Sequence, residues 1–248
     1  MRIKELGKKC EREYWGIMEV MNAKIALFFT WFFIKTPITP NQITVLSILI
    51  EIIGALFLLR GDYINMLIGV IIFQFGFIID HSDGQVARYK NIVSMKGMYI
   101  DQIGHYLTLP LLLGALTYGT YLKYDNIIYL IVGAVALVSF IYSKLFSLNP
   151  LWFNVDTNQL KKIRDIFEKF NIKHQGKLKT LIMEFLRLEQ PLNLLFWCLL
   201  LNQAGIAVFI YAILFFFNMI QILFVQLKKI GGIDKEAKRF TEGEKNGK

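Results

Sequence analysis

Residues 64–88, INMLIGVIIFQFGFIIDHSDGQVAR, decide the fold. Ile64 to Ile79 carries no charged side chain, and as a helix it is long enough to cross most of a hydrocarbon core about 30 Å thick. It then continues as a polar helical extension through Asp80, His81, Ser82, Asp83, Gly84, Gln85, Val86, Ala87 and Arg88. An apolar span thus delivers carboxylates to one edge of a membrane.

Comparable blocks recur on both sides. Working outward, spans are predicted at about 42–59, 64–79, 98–122, 127–146, 180–201 and 204–225. The chain has 248 residues, 55% of them hydrophobic, with a mean hydropathy of +0.45. The expected fold is therefore all-α: a polytopic membrane protein of six transmembrane helices with an N-terminal amphipathic surface helix. The expected organisation is an amphipathic juxtamembrane segment (1–36), a six-helix transmembrane catalytic domain (37–227) and a basic cytoplasmic tail (228–248). A basic insertion, 147–179, sits inside the domain and reads as a surface clamp, an acceptor lid or a linker. Pro37 and Pro40 punctuate the approach to the first span, which Thr39 or Asn41 can cap.

The formal net charge of +9 suggests anionic lipid head groups rather than nucleic acid, because the apolar blocks are long. Of the 28 Lys and Arg, only Arg60 and Lys123 fall in loops assigned to the outside. That asymmetry places both termini, the 80–97 connection, the insertion and the tail in the cytoplasm. Cys10 and Cys198 form neither a close pair nor a zinc-like spacing. Met1–Asn22 is charged and interrupted, unlike a signal peptide.

The chemistry concentrates between Asp80 and His105. Asp80, Asp83, Gly84 and Ala87 recur at intervals that share one helical face, and Gly97, Asp101 and His105 repeat every four residues on the next helix. Two adjacent antiparallel helices bring these faces together at one membrane edge. Carboxylates converging there repel one another unless a cation intervenes, and hard oxygen ligands suit Mg²⁺, Mn²⁺ or Ca²⁺. Gly84, Ala87 and Gly97 leave room for a nucleotide or for close helix packing. Arg88 suits a phosphate or a lipid head group.

Asp80 through His105 resembles the signature of the CDP-alcohol phosphotransferase (CDP-alcohol phosphatidyltransferase) family, D-x2-D-G-x2-A-R-x8-G-x3-D-x3-D. The first seven specified positions agree at the same spacing, and Pro40-Asn41-Gln42-Ile43-Thr44 resembles the opening of that family's first span. The last aspartate is replaced by His105. The resemblance implies a metal-dependent transferase of phospholipid biosynthesis, working with one or two Mg²⁺ or Mn²⁺ ions and releasing CMP. It further implies metal ligation by Asp80, Asp83, Asp101 and His105, with Asp101 and His105 catalytic. Asn41, Thr44, Gly84, Ala87, Arg88 and Gly97 would form the CDP site.

His105 itself reads three ways: general base, ligand of a softer ion such as Mn²⁺, or sign of an impaired or repurposed site. His81 reads as solvated, and His174 has no assigned role. The implied partners are a CDP-linked donor, lipid or soluble, an alcohol acceptor, membrane lipids and a second copy in a homodimer. CDP-diacylglycerol is the leading donor. Lys144 and Arg187 form a cationic pair suited to an acceptor phosphate, with Ser143, Glu184 and Glu189 nearby in sequence. Phe215, Phe216 and Phe217 read as lipid-facing. A transporter is the competing class, but no second set of charges near mid-membrane is evident, nor an internal repeat. A catalytically silent CDP- or lipid-binding relative is the third reading.

Overall fold

In a computed structural model, residues 3–10, 16–92, 94–147, 182, 185–188 and 192–246 are described. Their regular elements are all helical: α1 (Ile3–Lys9), α2 (Ile17–Phe33), α3 (Pro40–Leu58), α4 (Tyr63–Lys90), α5 (Met95–Tyr124), α6 (Ile128–Ser147), α7 (Leu194–Leu200) and α8 (Ala204–Asn246).

Local chemistry sets the boundaries. Thr39, rather than Asn41, caps α3: its hydroxyl accepts from the Gln42 amide, and the Gln42 side chain accepts from the Thr39 amide, a reciprocal capping box ahead of Pro40. Asp62 caps α4 and Ser94 caps α5, each accepting from the amide three residues on. Asn91 ends α4 and Asp125 ends α5 in left-handed conformations, with φ of 53° and 48°.

Four helices have the length and composition to cross a membrane: Pro40–Leu58, Tyr63–Lys90, Ile128–Leu145 and Ala204–Leu227. These match the first, second, fourth and sixth expected spans. α5 covers the third; its 30 residues reach about 45 Å as a helix, and its polar residues lower its hydropathy. The fifth expected span is not one continuous helix. Arg187, Leu188, Leu192 and Asn193 are non-helical, and only the short α7 follows. Pro191 supplies a sequence reason, since proline lacks an amide donor and biases the preceding residue away from helix. Asn193 satisfies the exposed backbone, donating to the carbonyls of Leu188 (2.7 Å) and Arg187 (3.1 Å) and capping Phe196. Gln74 of α4 reaches the same turn, donating to Asn193 Oδ1 and accepting from the Leu192 amide. Irregular backbone at membrane depth survives when protein satisfies it in this way. The basic insertion lies outside the described residues apart from its first position. The tail continues α8 as helix through Asn246, in keeping with its helix-favouring Lys, Glu, Ala and Arg.

The main core is built on Leu109, Leu112, Leu113 and Leu116 of α5, packed with Leu58, Phe73, Phe140, Leu195 and Tyr211. Large apolar side chains outside it, among them Ile53, Leu56, Val138, Ile213 and Phe224, are exposed, forming an extended apolar surface. Phe216 and Phe217 belong to that surface, but Phe215 does not: it stacks on Tyr211 and meets Phe140 edge-on.

α3 and α4 cross closely. At Gly54 a Cβ would come 2.6 Å from the Phe73 amide nitrogen and 2.7 Å from the Gly69 carbonyl oxygen. Only glycine allows the backbones so near. The antiparallel register is regular: Gly54 meets Phe73, Glu51 meets Gly76, Ser47 meets Asp80 and Thr44 meets Asp83. α5 runs parallel to α3, with Asn41 beside Gly97 and Ile48 beside Gly104, seven residues further on each.

Candidate active site at the α3–α4–α5 edge

The register places three polar ladders side by side. α4 contributes Asp80 and Asp83, α5 contributes Asp101 and His105, and α3 contributes Thr44 and Ser47. Asp80 is buried, and its Oδ1 accepts from Ser47 Oγ at 2.9 Å. Its Oδ2 lies 3.6 Å from His105 Nε2, which is also 3.4 Å from Asp101 Oδ1 one turn back on α5. Asp80, Asp101 and His105 each offer a ligand atom, and these atoms lie within 4.8 Å of one another. Asp83 stands one turn further along α4, where its carboxylate accepts from the Thr44 hydroxyl.

This donor set suits a divalent ion. Two carboxylates and an imidazole converge from two helices, Asp80 buried and Asp101 partly exposed, and like charge so close is expensive unless neutralised. Hard oxygens favour Mg²⁺ or Mn²⁺, and the imidazole nitrogen tilts the set toward the softer of the two.

The surroundings of the expected nucleotide residues are also defined. A Cβ on Gly97 would fall 2.8 Å from Asn41 Oδ1, and one on Gly84 would fall 3.2 Å from a terminal nitrogen of Arg88. Both glycines therefore lie under polar side chains, and Ala87 is half-buried on the same stretch of α4. Arg88 is tethered from an unexpected direction: its Nε donates to the Cys10 carbonyl at 2.9 Å. The N-terminal segment is thus docked on the site. Gln85 donates to the Ala23 carbonyl and accepts from Thr30, while Ser82 donates to the Ala26 carbonyl. Asn22, Ala23, Ala26, Thr30 and Phe33 are the buried face of α2. His81 is half-buried, with Nδ1 3.1 Å from the Phe77 carbonyl.

Of the expected acceptor residues, Lys144 holds its Nζ 5.3 Å above the Phe140 ring, and Arg187 is exposed with its carbonyl bound by Asn193. Ser143 turns its hydroxyl back to the Ser139 carbonyl. Glu184 and Glu189 lie outside the described residues. A cleft of about 340 Å³ between α6 and α8, lined by Ala134, Val135, Val138, Ser139, Phe216 and Met219, contains no ionisable side chain and is separate from this chemistry.

Two functional positions escape the motif. Ser47 is a direct partner of Asp80. Glu51, one turn deeper on α3, is only 3% exposed and packs against Gly76, one turn before Asp80 on α4. It is a single buried charge on that span rather than a second set of charges. The available signal was a lone acidic residue at i+4 from Ser47 and i+7 from Thr44, within an otherwise uncharged span.

The fold and site define a polytopic membrane protein in which Asp80, Asp101 and His105 are close enough to hold a metal ion. The profile of the CDP-alcohol phosphatidyltransferase family matches residues 37–216, and the chain belongs to that family, a group of transferases that generally use divalent ions. Over 70 residues, 28% of this chain, it is 33% identical to the "Bifunctional IPC transferase and DIPP synthase" of Archaeoglobus fulgidus; the match covers 14% of that protein's length.

Proposed function

We propose that the protein transfers a substituted phosphate from a CDP-linked donor, CDP-diacylglycerol first among them, to an alcohol, releasing CMP at the cytoplasmic face of the membrane. The observation that carries this reading is the convergence of Asp80, Asp101 and His105 within 4.8 Å at the edge of membrane helices. Family membership supplies the CDP chemistry, and the Lys and Arg asymmetry supports the cytoplasmic orientation.

Asp80, Asp83 and Asp101 would hold one or two divalent ions, which neutralise charge on the donor pyrophosphate and on departing CMP. Ser47 and Thr44 orient Asp80 and Asp83. Asn41, Gly84, Ala87, Arg88 and Gly97 shape the CDP site, with Arg88 held to the N-terminal segment. His105 accepts the proton of the acceptor hydroxyl. The hydroxyl oxygen forms a bond to the phosphorus distal to cytidine, the bond from that phosphorus to the bridging oxygen breaks, and the oxygen leaves with CMP. Lys144 and Arg187 receive a phosphorylated acceptor.

The test is CMP release by purified protein with Mg²⁺ or Mn²⁺. CDP-diacylglycerol, and then soluble CDP-alcohols, are offered against polyol, polyol-phosphate and lipid acceptors. Metal-dependent release that is absent in Asp101→Asn supports the reading, and the reacting pair names the substrates. CDP binding without release from any pair would sink the transferase reading in favour of a silent relative.

A further inference from the structure

We propose that Glu51 returns the negative charge that His105 withholds, acting from one turn below the Asp80–Asp101–His105 cluster, on α3 instead of α5. The proposal rests on the phosphotransferase reading above. Glu51 is the lone charged residue of the 19-residue helix α3 and is 3% exposed. A carboxylate buried in an apolar span is costly unless something compensates its charge.

The helix register shows what Glu51 serves. It lies one turn beyond Ser47, the partner of Asp80, and faces Gly76, one turn before Asp80 on α4. A Cβ at position 76 would sit 2.7 Å from Glu51 Cγ, so the glycine makes the space that the glutamate fills. One turn beyond His105, Thr108 is fully buried and its hydroxyl has no hydrogen-bond partner. Buried polar residues on α3 and α5 therefore continue one turn beyond Ser47 and His105.

Charge accounts for this arrangement. Replacing an aspartate by an imidazole removes one negative charge from a site built to attract a divalent ion, and a glutamate one rank below returns it. Glu51 touches no reacting atom in this scheme. It is a positioning residue that acts through the field on Asp80 and His105.

The experiment measures Mn²⁺ affinity of the purified full-length protein by electron paramagnetic resonance, with metal-free melting temperature and CMP release alongside. Glu51→Gln preserves size and removes charge, and should weaken Mn²⁺ binding about tenfold or more. Adding His105→Asp to that variant should return affinity to within about threefold of wild type, because the two positions are coupled. A Glu51→Gln protein that binds Mn²⁺ like wild type overturns the proposal. So does weakened binding, or a lowered melting temperature, that His105→Asp fails to restore, since Glu51 would then be a packing residue. Wild-type protein that neither binds Mn²⁺ nor releases CMP would instead overturn the underlying reading.

Discussion

Ser47 Oγ lies 2.9 Å from Asp80 Oδ1 and 2.8 Å from the Thr44 carbonyl oxygen, so its one hydroxyl hydrogen is shared between the two acceptors, joining the first membrane helix to the first aspartate of the signature. The bond leaves Oδ2 directed toward His105. Hydrogen bonds to charged groups contribute about 1.5–3 kcal/mol, so Ser47→Ala should lower metal affinity about tenfold while helical content is unchanged. Metal titration followed by tryptophan fluorescence reads the first, and circular dichroism the second. Wild-type affinity in Ser47→Ala would show that Asp80 needs no such orientation.

Asp101 and His105 separate charge from fold. The Asp101 side chain is 46% exposed, so Asp101→Asn should cost less than about 1 kcal/mol in stability and still abolish metal-dependent CMP release. His105→Asp restores the family residue and should retain or raise turnover. Complete loss in His105→Asp would point to a role that only an imidazole fills.

The glycine crossing governs stability rather than chemistry. At Gly54 the obstructing atoms are backbone nitrogen and oxygen, which cannot rotate aside. Gly54→Ala should push α3 from α4 and destabilise the protein by about 1–3 kcal/mol, seen as a lower melting temperature in detergent. An unchanged melting temperature would mean that the crossing has slack.

The N-terminal segment holds the signature arginine through a carbonyl, so side-chain substitution at Cys10 leaves the Arg88 contact in place. Deleting residues 1–10 removes it. The expected result is a rise of about tenfold in KM for the CDP donor, with kcat reduced less. Equal loss in both parameters would indicate general damage to the fold.

Asp62 gives α4 a pH-sensitive start. Its carboxylate accepts from the Asn65 amide (3.0 Å) and from the Asn65 side chain (2.7 Å), which hold it below its ordinary value of 3.8. A depressed carboxylate contributes stability above its unfolded pKa and loses it as pH falls through the lower folded value. Melting curves of wild type and Asp62→Asn should therefore converge on acidification below about pH 4. Curves that stay parallel would remove Asp62 as the source of that dependence.

The spans at α3, α4, α6 and α8 were legible because uninterrupted apolar length is a one-dimensional property, and capping at Thr39 follows from residue type and spacing. The approach of Asp80, Asp101 and His105 was legible for a related reason: helical periodicity converts intervals of four into a shared face; Asp83 lies outside that cluster, bonded to Thr44. The break at Arg187–Asn193 was harder, because a buried turn depends on distant partners such as Gln74 to satisfy its backbone.

What the sequence determined by itself was an all-helical membrane protein with a carboxylate-rich signature at one helix end, since apolar length and helical periodicity act along a single chain. Only the tertiary structure decided which side chains of α3 meet the aspartates. The close α3–α4 crossing at Gly54, Gly69 and Gly76 sets Ser47 against Asp80 and Glu51 one rank below, and the docked N-terminal segment secures Arg88. Those pairings join residues far apart in sequence, and the physical cause is the packing distance that the glycines permit between two backbones.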